Sequence, residues 1–141
     1  MTADTIKSAR KHVFLSCISP VIASGVDSIR SGMYNLLRTR TLRSQSEFQI
    51  VVDTFMRNQI DELRSEIYKA VSSDVDCRSF FDFQIIDNKR VSKFKKLIIL
   101  MSLIGYSDGE IACYLFTDKT SVRTNKSLLK KEYPDLLADE S

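Results

Sequence analysis

Seven side chains that could contact nucleic acid fall on the outward face of one predicted helix near the end of the chain. They are Lys119, Arg123, Thr124, Lys126, Ser127, Lys130 and Lys131. Cations neutralise phosphates, and guanidinium and hydroxyl groups donate hydrogen bonds to base edges in a DNA major groove. Because lysine-rich faces are also common on ordinary solvated helices, the pattern alone leaves both interpretations open.

Two short predicted helices joined by a tight turn would position these side chains. Ser107 begins a capping-box pattern at the first helix, and Thr117 or Asp118 can cap the second. Val122 and Leu129 are seven residues apart, so they share the buried face of the second helix. We expect this pair to pack on a preceding helix. The predicted contacts join Ile111, Ala112, Leu115, Val122 and Leu129 to Leu97, Ile98 and Met101.

This stretch resembles the LuxR/GerE-type helix-turn-helix family. The matching residues follow one another without a gap: Gly105-Tyr106-Ser107, Glu110-Ile111-Ala112, Leu115 and Thr120-Ser121-Val122-Arg123-Thr124. The resemblance covers roughly residues 91–133, and the sigma-factor C-terminal DNA-binding region has similar spacing. The chain departs from the family pattern at Thr117, Asn125 and Tyr133.

The resemblance implies which positions approach base edges, and the helical repeat places the same positions on the exposed face. These predicted base-reading residues are Arg123, Thr124 and Ser127. The residues that flank them are better placed for phosphates. The predicted phosphate contacts are Lys119, Thr120, Lys126 and Lys130.

The charge distribution favours nucleic-acid binding. Residues 1–88 carry 11 basic and 11 acidic side chains, whereas residues 89–131 carry 10 basic and 3 acidic ones. The last ten residues add four acids and no base. Positive charge is thus concentrated on the predicted helix-turn-helix, as expected of a nucleic-acid binder.

Composition argues against several other classes of protein. Three widely spaced cysteines without a CxxC pair and a single histidine, His12, disfavour a zinc site, a disulfide framework and a histidine-based triad. No paired nucleophile and base and no phosphate-cradling glycine loop is apparent. We therefore predict no enzyme activity, no metal and no cofactor.

Few glycines and prolines, four and two, favour an all-α fold. We predict a first helix over 5–18, and a second that starts at Ser19-Pro20 and runs to about Arg40. A third begins at the capping-box pattern of Ser44 and runs to Val71. A fourth ends at Gly105, a suitable C-terminal stop. The predicted domains are an N-terminal helical module, 1–88, and a helix-turn-helix module with an acidic tail, 89–141.

Two features of the N-terminal part leave alternatives open. The apolar stripe from Val52 to Ala70 suits either an intramolecular core or the seam of a homodimer. The aromatic cluster at 80–86 could form a short strand or an irregular plug before a domain boundary at 87–90.

The start of the chain has some features of a signal peptide, but Ser16, Cys17, Ser19 and Pro20 interrupt its apolar run. We predict a cytoplasmic protein with no membrane partner.

Together these patterns predict a bacterial-type transcription regulator that binds double-stranded DNA, as a homodimer if the stripe forms a seam. The alternative is an interaction module that contacts RNA polymerase, a sigma factor or another regulator without reading DNA, because a fold does not fix a function.

Overall fold

The computed structural model describes residues 3–79 and 90–134, with side chains from residue 5 onward. The predicted aromatic cluster at 80–86, most of the predicted boundary at 87–90 and the acidic end of the chain lie outside the described residues. The described part is all α-helical, as predicted, and contains no strand. Its helices are α1 (Ala3–Leu37), α2 (Gln45–Ser73), α3 (Val75–Ser79), α4 (Lys93–Ile104), α5 (Asp108–Tyr114) and α6 (Lys119–Glu132).

The prediction of two helices divided at Pro20 is wrong, because α1 continues through this residue. Proline lacks the amide proton that would bond the carbonyl four residues earlier, so it usually ends or kinks a helix. Here Phe14 and Ile18, immediately before the proline, are 1% exposed in the core. Phe14, Ile18 and the apolar residues after Pro20 lie along α2. The free energy gained by this packing outweighs the cost of the proline to the helix.

Helices α1 and α2 form a hairpin joined by a short 3₁₀ turn, Arg40–Leu42. Two glycines of α1 allow the close approach of α2. A Cβ atom added at Gly25 would clash with Leu63 Cδ1, and one added at Gly32 would clash with Phe55 Cζ. These side chains therefore rest directly on the α1 backbone.

The main core lies where the base of this hairpin meets α4, α5 and α6. It joins Phe14 and Ile18 of α1 with buried residues of α2, and it includes Val122 of α6. From α4 and α5 it takes Leu97, Ile98, Leu100, Met101, Ile104, Ile111 and Ala112. The predicted packing of α5 and of Val122 against α4 is thus confirmed.

Leu129 is an exception to the predicted packing. It belongs to a separate small cluster with Val91 and Ile99, and not with Leu97, Ile98 and Met101. The reason is geometric: Leu129 lies two turns beyond Val122, so it reaches a different side of α4. The second half of α6 is therefore held by the residues around Val91.

Helix α1 is long and apolar enough to cross a membrane by length and composition alone. The span is Thr5–Leu37, in which the most apolar 18-residue stretch has a mean hydropathy of 1.4 and is 11% buried. A core helix of a soluble protein and a signal sequence meet the same criterion, so the observation is weak. The expectation of a cytoplasmic protein with no membrane partner therefore stays a prediction.

Replacing Val122 by aspartate is expected to unfold the C-terminal part of the protein. Val122 is fully buried, and an unpaired carboxylate there would cost roughly 3 kcal/mol or more. Thermal melting followed by circular dichroism measures the effect, and Thr124→Asp on the exposed face of the same helix is the matched control. Native melting of Val122→Asp would contradict the packing described for α6.

Candidate nucleic-acid interface

The entry into α5 is fixed by two local motifs. Gly105 takes a left-handed conformation, φ 114°, and its amide bonds the carbonyl of Ser102 while the amide of Tyr106 bonds that of Met101. This pair of bonds is a Schellman motif that ends α4. Ser107 Oγ then accepts from the Glu110 amide at 3.2 Å, and Glu110 accepts from the Ser107 amide at 3.0 Å. The predicted capping box is confirmed.

The turn between α5 and α6 has an unusual residue at its strained position. Phe116 has φ 57°, a left-handed conformation that costs a side-chain-bearing residue about 1–2 kcal/mol. Its amide bonds the carbonyl of Cys113, and the amide of Thr117 bonds that of Ala112, which is again the Schellman pattern. The turn thus forms without the glycine that usually occupies this position.

A single arginine of α2 holds this turn. Arg64 donates from Nε to the Leu115 carbonyl at 2.8 Å and from Nη2 to the Phe116 carbonyl at 3.2 Å. Its guanidinium also lies 4.3 Å from the ring centroid of Phe94 in α4 and 3.7 Å from Asp61. Burial lowers the pKa of Arg64, and the charge of Asp61 partly opposes this. Arg64 therefore connects α2, α4 and the α5–α6 turn.

Helix α6 is capped by Asp118 and not by Thr117, the other predicted cap. Asp118 Oδ1 accepts from the Ser121 amide at 2.6 Å. Val122 and Leu129 are buried and mark the side of α6 that faces the core. Successive residues are rotated by about 100° around the helix axis. The side opposite the core is therefore centred on Thr120, Thr124, Ser127 and Lys131, all exposed.

The predicted site residues divide into two groups by their surroundings. Thr124 and Ser127 lie at the centre of the exposed face, as does Thr120, which was assigned to phosphate. Arg123, Lys119 and Lys130 are exposed on one flank of that face. Lys126 lies on the same flank, but its side chain is only 18% exposed. The helix thus presents hydroxyl groups and Lys131 centrally, with cations along one edge.

Two of the flanking cations share a carboxylate from α5. Lys126 Nζ lies 3.0 Å from Asp108 Oδ1, and Arg123 Nε lies 3.5 Å from Asp108 Oδ2. Burial alone would raise the pKa of Asp108, but the hydrogen bonds and charges of Lys126 and Arg123 outweigh it and hold the pKa below its ordinary value of 3.8. Asp108 therefore links α5 to α6 and neutralises part of the positive charge of Lys126 and Arg123.

The lysines of α4 contribute less to the basic face than the sequence indicates. Lys93 Nζ donates to Ser65 Oγ at 2.9 Å, and Lys96 Nζ donates to Tyr68 OH at 3.3 Å. Lys96 is only 7% exposed, and its ammonium lies 5.1 Å from the ring centroid of Tyr68. These two lysines stabilise the contact between α4 and α2.

Arg64, Asp108 and Lys131 are not among the site residues predicted from the sequence. Arg64 stands four residues after Ile60 and three before Ile67, a spacing that belongs to the edge of the buried stripe and could have indicated it. Lys131 was placed on the outward face but not among the site residues. The pairing of Asp108 with residues 15 and 18 positions later has no signal in local sequence.

No protein-family model, curated protein or solved structure matches the chain. The resemblance to LuxR/GerE-type regulators consequently rests on the quoted residues alone and stays a prediction.

Replacing Arg64 by lysine is expected to destabilise the protein by about 1.5–3 kcal/mol, because a lysine cannot donate to both turn carbonyls and stack on a ring. Chemical denaturation measures the loss. Arg57→Lys, on an exposed part of α2, is the matched control and should be neutral. Equal stability of Arg64→Lys and the parent would show that the turn does not depend on this guanidinium.

Asp108 is expected to make stability dependent on acid. Since its pKa is lowered in the folded state, its ion pairs stabilise the fold above pH about 4 and are lost as pH falls through the folded-state pKa. Urea midpoints of the parent and Asp108→Asn, measured from about pH 7 to pH 2, should differ most at neutral pH and converge in acid. A difference that does not change with pH would contradict the ion-pair role.

Proposed function

We propose that this protein binds double-stranded DNA through α5 and α6 and acts as a bacterial-type transcription regulator. The observation that carries the proposal is the distribution of buried and exposed side chains around α6. One side is anchored by Val122 and Leu129, and the opposite side presents hydroxyls and cations with no helix of the described chain covering it. A capped helix of 14 residues with such a face suits a major groove.

The geometry favours a division of roles on that face. Thr124 and Ser127, at its centre, are the best placed to approach base edges. Arg123 is 61% exposed and long enough to reach a guanine from the flank, where a bidentate contact is worth about 1–3 kcal/mol of discrimination. Lys119, Lys130 and Lys131 suit phosphates, which add affinity without sequence information.

The alternative is an interaction module for RNA polymerase, a sigma factor or another regulator. Asp108 favours this alternative, because its carboxylate neutralises charge on Arg123 and Lys126 next to the exposed face. A surface of mixed charge suits a protein partner better than a polyanion. The two proposals differ in salt dependence, since DNA binding releases counterions and weakens steeply as salt rises.

Two alanine variants test the DNA proposal. Arg123→Ala should relax specificity at one base position, whereas Lys130→Ala should weaken binding to all sequences and lower the salt slope by about one unit. Binding to a selected duplex and to a scrambled one, over a series of salt concentrations, measures both effects. Lys69→Ala, on exposed α2 surface away from the face, serves as the control.

Lys126→Ala is expected to behave differently from Lys130→Ala, because it also breaks the contact with Asp108. Its loss of binding should be accompanied by a lower melting temperature. If the parent shows no salt-dependent binding to any duplex, the DNA proposal fails and the interaction module replaces it.

A further inference from the structure

The outer half of the α1–α2 hairpin lacks a buried core. From Ser19 to Glu62 no residue is fully buried. The two helices nevertheless carry apolar side chains at helical spacing that are only partly buried: Val21, Ile22, Val26, Ile29, Val52, Phe55, Met56 and Ile60. Of these, Val21, Ile22 and Ile29 pack against the edge of the main core. Two helices alone bury too little apolar surface to be rigid. This half of the hairpin therefore has the character of an incomplete bundle.

Charge is distributed unequally along the hairpin. Its tip, residues 36–48, carries Arg38, Arg40, Arg43 and Glu47, a net charge of +2. Its base, residues 19–25 and 58–66, carries Asp61, Glu62, Arg64 and Glu66, a net charge of −2. The ion pairs found among the described residues do not include Arg40, Arg43, Glu62 or Glu66. The hairpin thus has a basic end and an acidic end.

The two charged ends line grooves on the same side of α2. Arg40, Arg43 and Phe48 line a groove of about 370 Å³ at the tip, and Glu62, Leu63 and Glu66 line one of about 460 Å³ at the base. Phe48 and Glu62 are 14 residues apart, which is close to four helical turns and about 21 Å along the axis. Phe48 and Glu62, one from each groove, therefore lie on nearly the same side of α2.

We propose that two copies of the chain pair through this side of the hairpin in antiparallel orientation, so that Arg40 and Arg43 of one protomer contact Glu62 and Glu66 of its partner. Such a contact is isologous and occurs twice. The two-fold axis passes near Phe55, midway between Phe48 and Glu62. The partner hairpin would then cover the partly exposed Val52 and the outer edge of Phe55, and the two hairpins together would form a four-helix bundle.

The charge pattern selects this arrangement over a parallel one. A parallel dimer would bring the two basic tips together and the two acidic bases together, and like charges at an interface are unfavourable. In the antiparallel dimer both ends are compensated. Since α4, α5 and α6 pack at the base of the hairpin, the two α6 helices would lie at opposite ends of the bundle and remain exposed.

Charge reversal tests the proposal with the full chain, because all four residues are exposed and none of them lies in the core. Sedimentation at micromolar concentration should show a dimer for the parent. The tip variant, Arg40→Glu with Arg43→Glu, and the base variant, Glu62→Lys with Glu66→Lys, should each weaken dimerisation at least about tenfold. A variant with all four changes should recover a dimer, and a mixture of the tip and base variants should form a heterodimer.

Controls separate this result from other effects. Lys130→Glu with Lys131→Glu changes net charge equally on α6 and should leave dimerisation unchanged, and circular dichroism confirms folding of every variant. A monomeric parent at 100 micromolar concentration, or a dimer that neither variant weakens, would overturn the proposal. A parent that binds other surfaces, such as anionic vesicles, while staying monomeric would do the same. Dimerisation is measured without DNA, so this outcome is independent of the DNA proposal.

Discussion

The position of α6 depends on the contact between Arg64 and the α5–α6 turn. The turn places Phe116 in a left-handed conformation, and two carbonyls at this bend receive their donors from a side chain about fifty residues earlier. Because the same guanidinium packs on Phe94, α2 and α4 together set the angle at which α6 leaves the turn. A change in the hairpin would thereby be felt at the exposed face of α6.

Hydrogen bonds and an ion pair within the chain hold several of its lysines and limit their reach to a partner. Lys93 and Lys96 are directed at α2, and Lys126 is held by Asp108. The charge that remains accessible lies mainly on the first and last turns of α6 and on Arg123. A DNA-binding surface of this kind would rely on few phosphate contacts, so its salt dependence should be moderate for its net charge.

Much of the fold could be predicted because its signals are local. The caps at Ser107 and Asp118, the stop at Gly105 and the apolar stripe of α2 all follow from residues within one or two turns. The errors arise where distant residues decide. Pro20 is accommodated within α1 because this helix packs along α2. Leu129 packs with Val91 because a different side of α4 lies beside the second half of α6. The exposed face of α6 was predictable, but Asp108 as its neighbour was not.

The hairpin and the C-terminal helices carry different kinds of charge, and this suggests different partners for them. From Ser19 to Glu62 five basic and five acidic side chains balance, with opposite signs concentrated at the two ends. In the proposed antiparallel pair, the basic end of each hairpin would lie against the acidic end of the other. The face of α6 has more cations than acids even with Asp108 counted, so the proposed partner there is anionic. Self-association by the hairpin therefore leaves the α6 face available in each protomer.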